Sequence, residues 1–164
     1  MFVSELLDSS HILDSFDSGT PSLDLWLQRS ALLSDSKRQG RTYVWCKDNN
    51  TVVAYFSLAP HVIARAGLPS KLARGNLNEI PAILLARLAL DRRHQGQGLG
   101  AELLTDALSR AVTASNLVGG RYIVVDAIDE RAGRFYERFG FVRCDDGTLR
   151  RYLRKVSDIA VSLG

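Results

Sequence analysis

A mixed α/β fold is predicted for this chain by three features of its sequence. Two β-branched and aromatic runs are joined by a short polar turn in the first third. An apolar strand leads through a glycine-rich loop into an amphipathic helix in the middle. A further strand and helix follow before the C-terminus. With 164 residues and 46% hydrophobic content, a single globular domain over residues 1–164 is expected, with enough apolar side chains for a core that needs no disulfides.

Taken in order, a short first strand is expected around Phe2 to Leu7. Ser22 then caps a helix whose apolar face is Leu23, Trp26, Leu27 and Ala31, and Gly40 ends the region. Arg41 to Lys47 and Thr51 to Ala59 flank Asp48-Asn49-Asn50 as a hairpin, which Pro60 closes or bends. Gly67 to Pro81, with Pro69 and Gly75, reads as a long loop. A strand from Ile83 to Leu90 follows, then a helix to about Asn116 with Leu99, Leu103, Leu104, Leu108 and Ala111 on one face. Gly119-Gly120 turns the chain into Tyr122-Ile123-Val124-Val125-Asp126. A helix around Tyr136 and strands near Phe141 and from Leu149 to Val156 complete the chain.

Charge and cysteine usage narrow the classes. The net charge is +3, but the first 35 residues are acidic, whereas His61 to Gln95 carries Arg65, Lys71, Arg74, Arg87, Arg92 and Arg93 against Glu79 and Asp91. A polyanionic partner is therefore expected to meet the middle of the chain. Cys46 and Cys144 form no Cys-x-x-Cys pair, and His11, His61 and His94 show no metal-ligand spacing, so no metal is expected. Met1-Phe2-Val3-Ser4-Glu5 has neither a basic leader nor an apolar stretch, and no run is long enough to cross a bilayer. A cytoplasmic location without a membrane partner is expected.

The segment from Ile83 to Ala101 is the most informative. Gly96, Gly98 and Gly100 lie between the strand and the helix, where backbone without Cβ atoms can approach an anion and the N–H groups of the first helical turn point at it. A pyrophosphate is the expected ligand. Gly96-x-Gly98-x-x-Ala101 also satisfies a dinucleotide fingerprint, with Asp126 ending the next strand. Five residues separate Leu90 from Gly96, however, and only 38 follow Asp126, too few for a doubly wound sheet. No Gly-Lys-Ser/Thr follows the glycines, which excludes a phosphate-binding P-loop.

Read as Gln95-x-x-Gly98-x-Gly100 after Leu88-Ala89-Leu90, the segment resembles the acetyl-CoA signature of the GNAT superfamily of N-acetyltransferases. Asp129 to Phe141, with Phe135-Tyr136 followed by Gly140-Phe141, resembles that superfamily's last helix and its exit. The resemblance implies a GNAT fold: a mixed central sheet with antiparallel N-terminal strands, a βαβ acetyl-CoA unit, and helices on both faces. It implies acetyl-CoA as co-substrate, with the pantetheine arm along Leu88, Ala89 and Leu90 and the pyrophosphate on Gln95, Gly96, Gly98, Leu99, Gly100 and Ala101. Arg93 and Asp129 complete the implied cofactor contacts, although the superfamily often has asparagine where Asp129 stands.

Acyl transfer to an amine needs a polarised thioester, a neutral amine and a proton for the departing thiolate. Tyr136 falls where the superfamily often has a tyrosine that protonates the sulfur, and is the implied catalytic residue; the alternative is a core tyrosine beside Phe135. Many members also place a glutamate on the cofactor strand as base, yet Ile83-Leu84-Leu85-Ala86 offers none, and Glu79 and Asp126 are the nearest carboxylates by sequence. An α-amine of pKa about 8 needs less help than a lysine of about 10.4.

Asp24-Leu25-Trp26-Leu27, Gly40-Arg41-Thr42-Tyr43-Val44, Ala54 to Ala59, Ile80-Pro81, Leu84 to Ala89 and Phe135 to Phe141 together resemble the GNAT toxins of bacterial toxin–antitoxin pairs. That group implies acetylation of aminoacyl-tRNA and a ribbon-helix-helix antitoxin as partner; a homodimer is expected as well. Arg65, Lys71, Arg74, Arg87 and Arg92 are then the expected tRNA contacts. The alternatives are an enzyme for a protein N-terminus or a small amine, and a non-catalytic acetyl-CoA-binding module. A cationic polyamine is disfavoured by the basic middle of the chain.

Overall fold

A computed structural model of the chain describes residues 1–145 and 149–164. These form two compact units, residues 1–59 with 86–108 and residues 60–85 with 109–164. The strands are β1 (Glu5–Leu6), β2 (Arg41–Lys47), β3 (Thr51–Ala64), β4 (Glu79–Leu90), β5 (Tyr122–Ala127), β6 (Val142–Arg143) and β7 (Arg150–Lys155). The helices are α1 (Pro21–Arg29), α2 (Ala31–Ser36), α3 (Ser70–Ala73), α4 (Leu99–Val118), α5 (Glu130–Arg138) and α6 (Val156–Leu163).

In the first unit the strand order is β1-β2-β3-β4, and the first three are antiparallel, with Glu5 opposite Val44 and Arg41 opposite Leu58. The hairpin turn is the one expected: Asn49 and Asn50 adopt left-handed φ values of 66° and 60°, which asparagine tolerates. Gly40 is fixed by a close approach, since a Cβ there would lie 2.7 Å from the carbonyl oxygen of Leu58. Helix α1 begins two residues before the expected start, with Pro21 in its first turn, where a missing N–H costs nothing. Asp24, not Ser22, fixes the entry, accepting the N–H and hydroxyl of Ser18 at 3.0 and 2.7 Å. Leu27 and Ala31 pack against Phe16, Val44, Val52, Tyr55 and Ala89, and burying a side chain such as Leu27 contributes about 1.5–3 kcal/mol. The N-terminal half of α4 is tied down by Asp106, which accepts the indole N–H of Trp45 at 2.7 Å and the hydroxyl of Ser4 at 2.8 Å.

In the second unit the order is β3-β4-β5-β7-β6. β4 runs parallel to β5, Ala82 to Leu85 opposite Tyr122 to Val125, and α4 supplies the crossover that a parallel pair requires. β5 and β7 are antiparallel, and the core is Ile63, Ile80, Ala82, Tyr122, Val124 and Leu153.

Several sequence-based expectations are corrected. β1 is shorter than Phe2 to Leu7. β3 passes through Pro60 to Ala64, because its last pairing with β2 is at Leu58 and the missing N–H interrupts no β2 bond. The expected loop from Gly67 to Pro81 contains α3 and the start of β4, where the carbonyl of Pro81 accepts the N–H of Arg121 at 2.8 Å. β7 stops at Lys155, and α6, absent from the expectation, begins at Val156 and buries Val156 and Ile159.

Candidate functional site

The glycine-rich loop closes the C-terminal end of β4 in the first unit. Gly96 and Gly98 have φ values of 78° and 81°, conformations that an L side chain rarely adopts, so the backbone path itself requires glycine there. Gly100 has no such requirement. A Cβ built at any of the three meets nothing within 4 Å, which leaves open space in front of the loop. The first-turn N–H groups of Leu99, Gly100 and Ala101 have no intrahelical acceptor, and α4, at 20 residues, puts the positive end of its dipole behind them. Open space, unmatched donors and a helix dipole fit a pyrophosphate.

Gln95 acts as a strut. Its amide donates to the carbonyls of Leu90 at 2.8 Å and Ser18 at 2.9 Å, so it sets the loop's path. Arg93, expected at the cofactor, has its guanidinium on the carboxylate of Asp91, with a further bond to the carbonyl of Ser15 at 3.2 Å. Asp91 is fully buried and also accepts the backbone N–H groups of Arg93 at 3.0 Å and Asp17 at 3.1 Å. The Arg93 guanidinium, helped by those amides, holds the Asp91 carboxyl well below the usual carboxylate range. Sequence reasoning missed this hub; an aspartate ending an apolar strand and capping a short basic turn was the available signal. Arg92 pairs with Asp17 at 2.9 Å, an exposed contact that water and salt screen.

Leu88, Ala89 and Leu90 end β4 as expected. Arg87, just before them, is half-buried with its guanidinium carbon 3.9 Å from the centroid of the Trp26 ring. Trp26 in turn stacks on Tyr55 at 6.0 Å and 16°.

In the second unit Tyr136 lies on α5 and is 7% exposed, with Phe135, Phe141 and Tyr152 around its ring. Burial pushes its phenol above the ordinary value, so the proton is present throughout the neutral range. Asp129 is the N-cap of α5, accepting the N–H of Ala132 at 2.8 Å, which engages one oxygen of a residue expected at the cofactor. Asp126 is held by Arg151 through contacts of 2.8 and 3.0 Å, one to each carboxylate oxygen. Arg65, Lys71 and Arg74 are exposed on the segment before β4. A cavity of about 380 Å³ opens nearby, lined in part by His61, Ile63, Leu68, Arg151 and Leu153; no motif announced it.

Residue spacing pointed to no metal ligands, yet folding brings Glu5, His11 and Cys46 together, with ligand-capable atoms within 4.8 Å of one another. The hydrogen bonds explain the cluster. His11 Nδ1 accepts the N–H of Asp8 at 3.0 Å, which leaves the ring proton on Nε2 to be donated to Glu5 at 2.7 Å. The Asp8 N–H occupies the Nδ1 lone pair and Nε2 carries the proton, so neither nitrogen is open to a metal ion in this arrangement. Burial and the nearby carboxylate of Glu5 push the Cys46 thiol up to about 11.

With this geometry in place, comparison with known proteins decides the family: the acetyltransferase (GNAT) profile matches residues 4–141. The chain belongs to the GNAT family. Its members transfer acetyl groups from acetyl-CoA, and the chain is an acetyl-CoA-dependent N-acetyltransferase. A tRNA-acetylating toxin of Mycobacterium tuberculosis (strain ATCC 25618 / H37Rv) is 42% identical over 127 residues, 77% of this chain and 76% of the relative. Among solved structures, AtaT complexed with acetyl-methionyl-tRNAfMet superposes with a TM-score of 0.90 at 29% identity, covering 100% of both chains. A Tyr-to-Phe mutant of the AtaT toxin, bound to the C-terminus of the antitoxin AtaR and acetyl-CoA, superposes with a TM-score of 0.83 at 27% identity, covering 99% and 97%.

Proposed function

We propose that this acetyltransferase acts on the α-amino group of aminoacyl-tRNA and stops translation, and that a ribbon-helix-helix antitoxin neutralises it in the cytoplasm. The observation that carries the reading is that β4, beyond the exposed Glu79, offers no carboxylate to serve as a base, while Asp126 is paired with Arg151. A lysine of pKa about 10.4 is almost fully protonated at neutral pH, whereas an α-amine near 8 keeps an appreciable neutral fraction. The likeness to a tRNA-acetylating toxin and to AtaT with its tRNA product and antitoxin supports the same substrate and partner.

In this reading acetyl-CoA supplies an activated acetyl group when bound. The chain's own residues then have separate tasks. The loop from Gln95 to Ala101 binds and orients the pyrophosphate through backbone N–H groups. The backbone of Leu88 to Leu90 aligns the pantetheine arm and directs an N–H at the carbonyl oxygen. Tyr136 holds the proton that the sulfur takes as it leaves. The chain works as one catalytic domain and pairs as a homodimer.

Mass analysis of the charged tRNA pool after induced expression tests the reading. N-acetylated aminoacyl-tRNA, abolished by co-expressed antitoxin, is the expected result. Acetylated protein N-termini or small amines with an unmodified tRNA pool would overturn it in favour of another N-acetyltransferase. Sedimentation of the purified protein checks the homodimer.

A further inference from the structure

Arg87 differs from the other arginines around the glycine loop. Arg92 and Arg93 are paired with Asp17 and Asp91, but no described residue gives the Arg87 guanidinium a hydrogen bond or an ion pair. It is nevertheless half-buried, and the partial loss of water lowers its pKa, although arginine stays charged. A partly desolvated cation with five N–H donors is costly unless something accepts them.

The side chain is also held in place. One face of the guanidinium lies on Trp26, and Trp26 stacks on Tyr55. The Tyr55 hydroxyl donates to the carbonyl of Leu23 at 2.7 Å. This stack fixes the plane of the fork and leaves its edges for bidentate recognition of an anion. The cofactor's pyrophosphate already has the backbone N–H groups of the glycine loop as donors, and Arg87 lies before that loop by three strand residues, about 10 Å of extended backbone, plus the turn after Leu90. The group that must approach this end of Leu88 to Leu90 is the acceptor.

We propose that Arg87, steadied by Trp26, binds a phosphodiester at the 3′ end of the aminoacyl-tRNA and so positions the α-amine. This rests on the proposed function. Phosphate fits because arginine's planar fork matches two phosphate oxygens, and because the first phosphodiester of the acceptor strand is one nucleoside from the reacting amine.

The test is steady-state kinetics of Arg87→Met, Arg87→Lys and Trp26→Phe on aminoacyl-tRNA, with calorimetry of acetyl-CoA. For Arg87→Met, KM for aminoacyl-tRNA rises about 10- to 100-fold, the range expected for losing a charge-assisted bond, while kcat changes far less. The slope of log affinity against log salt flattens by about 0.7–0.9. Arg87→Lys keeps the salt slope but raises KM, because the fork is gone, and it serves if the Met variant fails to fold. Trp26→Phe raises KM by less. A merely structural role predicts a lower unfolding midpoint with KM and salt slope at parental values, and that result overturns the proposal. Equal weakening of acetyl-CoA binding would overturn it too, assigning Arg87 to the cofactor. If the parent protein leaves aminoacyl-tRNA unmodified, the proposed function falls and this inference with it; if the parent acetylates it and the variants match the parent, only the inference falls.

Discussion

The carboxylate of Asp91 grips the guanidinium of Arg93 through two parallel contacts of 2.9 Å, Nε to Oδ1 and the terminal nitrogen to Oδ2. Two backbone amides complete the set, and Asp91 therefore ties the end of β4 to the segment around Asp17. Asp91→Asn is expected to lower stability by about 1–3 kcal/mol, since it removes a charged acceptor while Arg93 stays largely in water. The folded-state pKa is depressed, so this contribution is full above the ordinary carboxyl value of about 4 and is lost as pH falls below it. Urea unfolding at several pH values should show parent and variant converging in acid; a gap that does not narrow would remove Asp91's charge from the account.

Tyr136→Phe should leave acetyl-CoA affinity nearly unchanged and lower turnover by about two to four orders of magnitude, the loss expected for a proton donor. The raised phenol pKa adds that Tyr136 ionisation causes no fall in rate below about pH 10. Calorimetry and single-turnover acetylation separate binding from chemistry, and an unchanged rate would leave Tyr136 as an ordinary core residue.

Gly100 gives the cleanest probe of the loop, because its φ is unremarkable and a Cβ there touches no protein atom. Gly100→Asp should fold with an unfolding midpoint near the parent's and lose at least about a hundredfold in acetyl-CoA affinity through opposed charge. Gly100→Ala should lose less. Parental affinity in a folded Gly100→Asp protein would move the pyrophosphate elsewhere.

Gly133 sits in α5 where a Cβ would overlap the Tyr152 hydroxyl. Gly133→Ala is expected to destabilise by about 1–3 kcal/mol despite alanine's higher helix propensity. Removing the hydroxyl with Tyr152→Phe should recover part of that loss, a coupling measurable in a double-mutant cycle. Additive effects would show that α5 shifts to accommodate the methyl group.

Replacing Arg65, Lys71 and Arg74 with glutamate should weaken aminoacyl-tRNA binding and flatten its salt dependence by about 2–3 in log–log slope if each meets a phosphate. Acetyl-CoA affinity is the control. Equal slopes in parent and variant would place the tRNA on another face.

The hairpin, the strand before the glycines and the helix carrying Tyr136 were legible because their periodicity and turn residues are local. The β4 start was hidden by Pro81, which the sheet accepts because its carbonyl, not its absent N–H, is used. The eight residues of α6 carry too few turns for a helical period to stand out from the preceding strand. At the site, the glycines announced themselves, whereas Arg87 was readable only as one cation among several. Its pairing with Trp26, and the pairing of Arg92 with Asp17, join segments distant in sequence, and no spacing rule reports which cations the fold neutralises.

Trp26 and Trp45 are the protein's only tryptophans, and the fold gives them opposite surroundings. Trp45 is buried, with its indole N–H fixed on Asp106, so its emission is insulated from solvent and solute. Trp26 lies half-exposed beneath the guanidinium of Arg87, the group proposed to meet the acceptor's phosphate. The proposed docking of a phosphate on Arg87 should therefore change Trp26 emission while leaving that of Trp45 alone, an optical readout of the acceptor's arrival that needs no label.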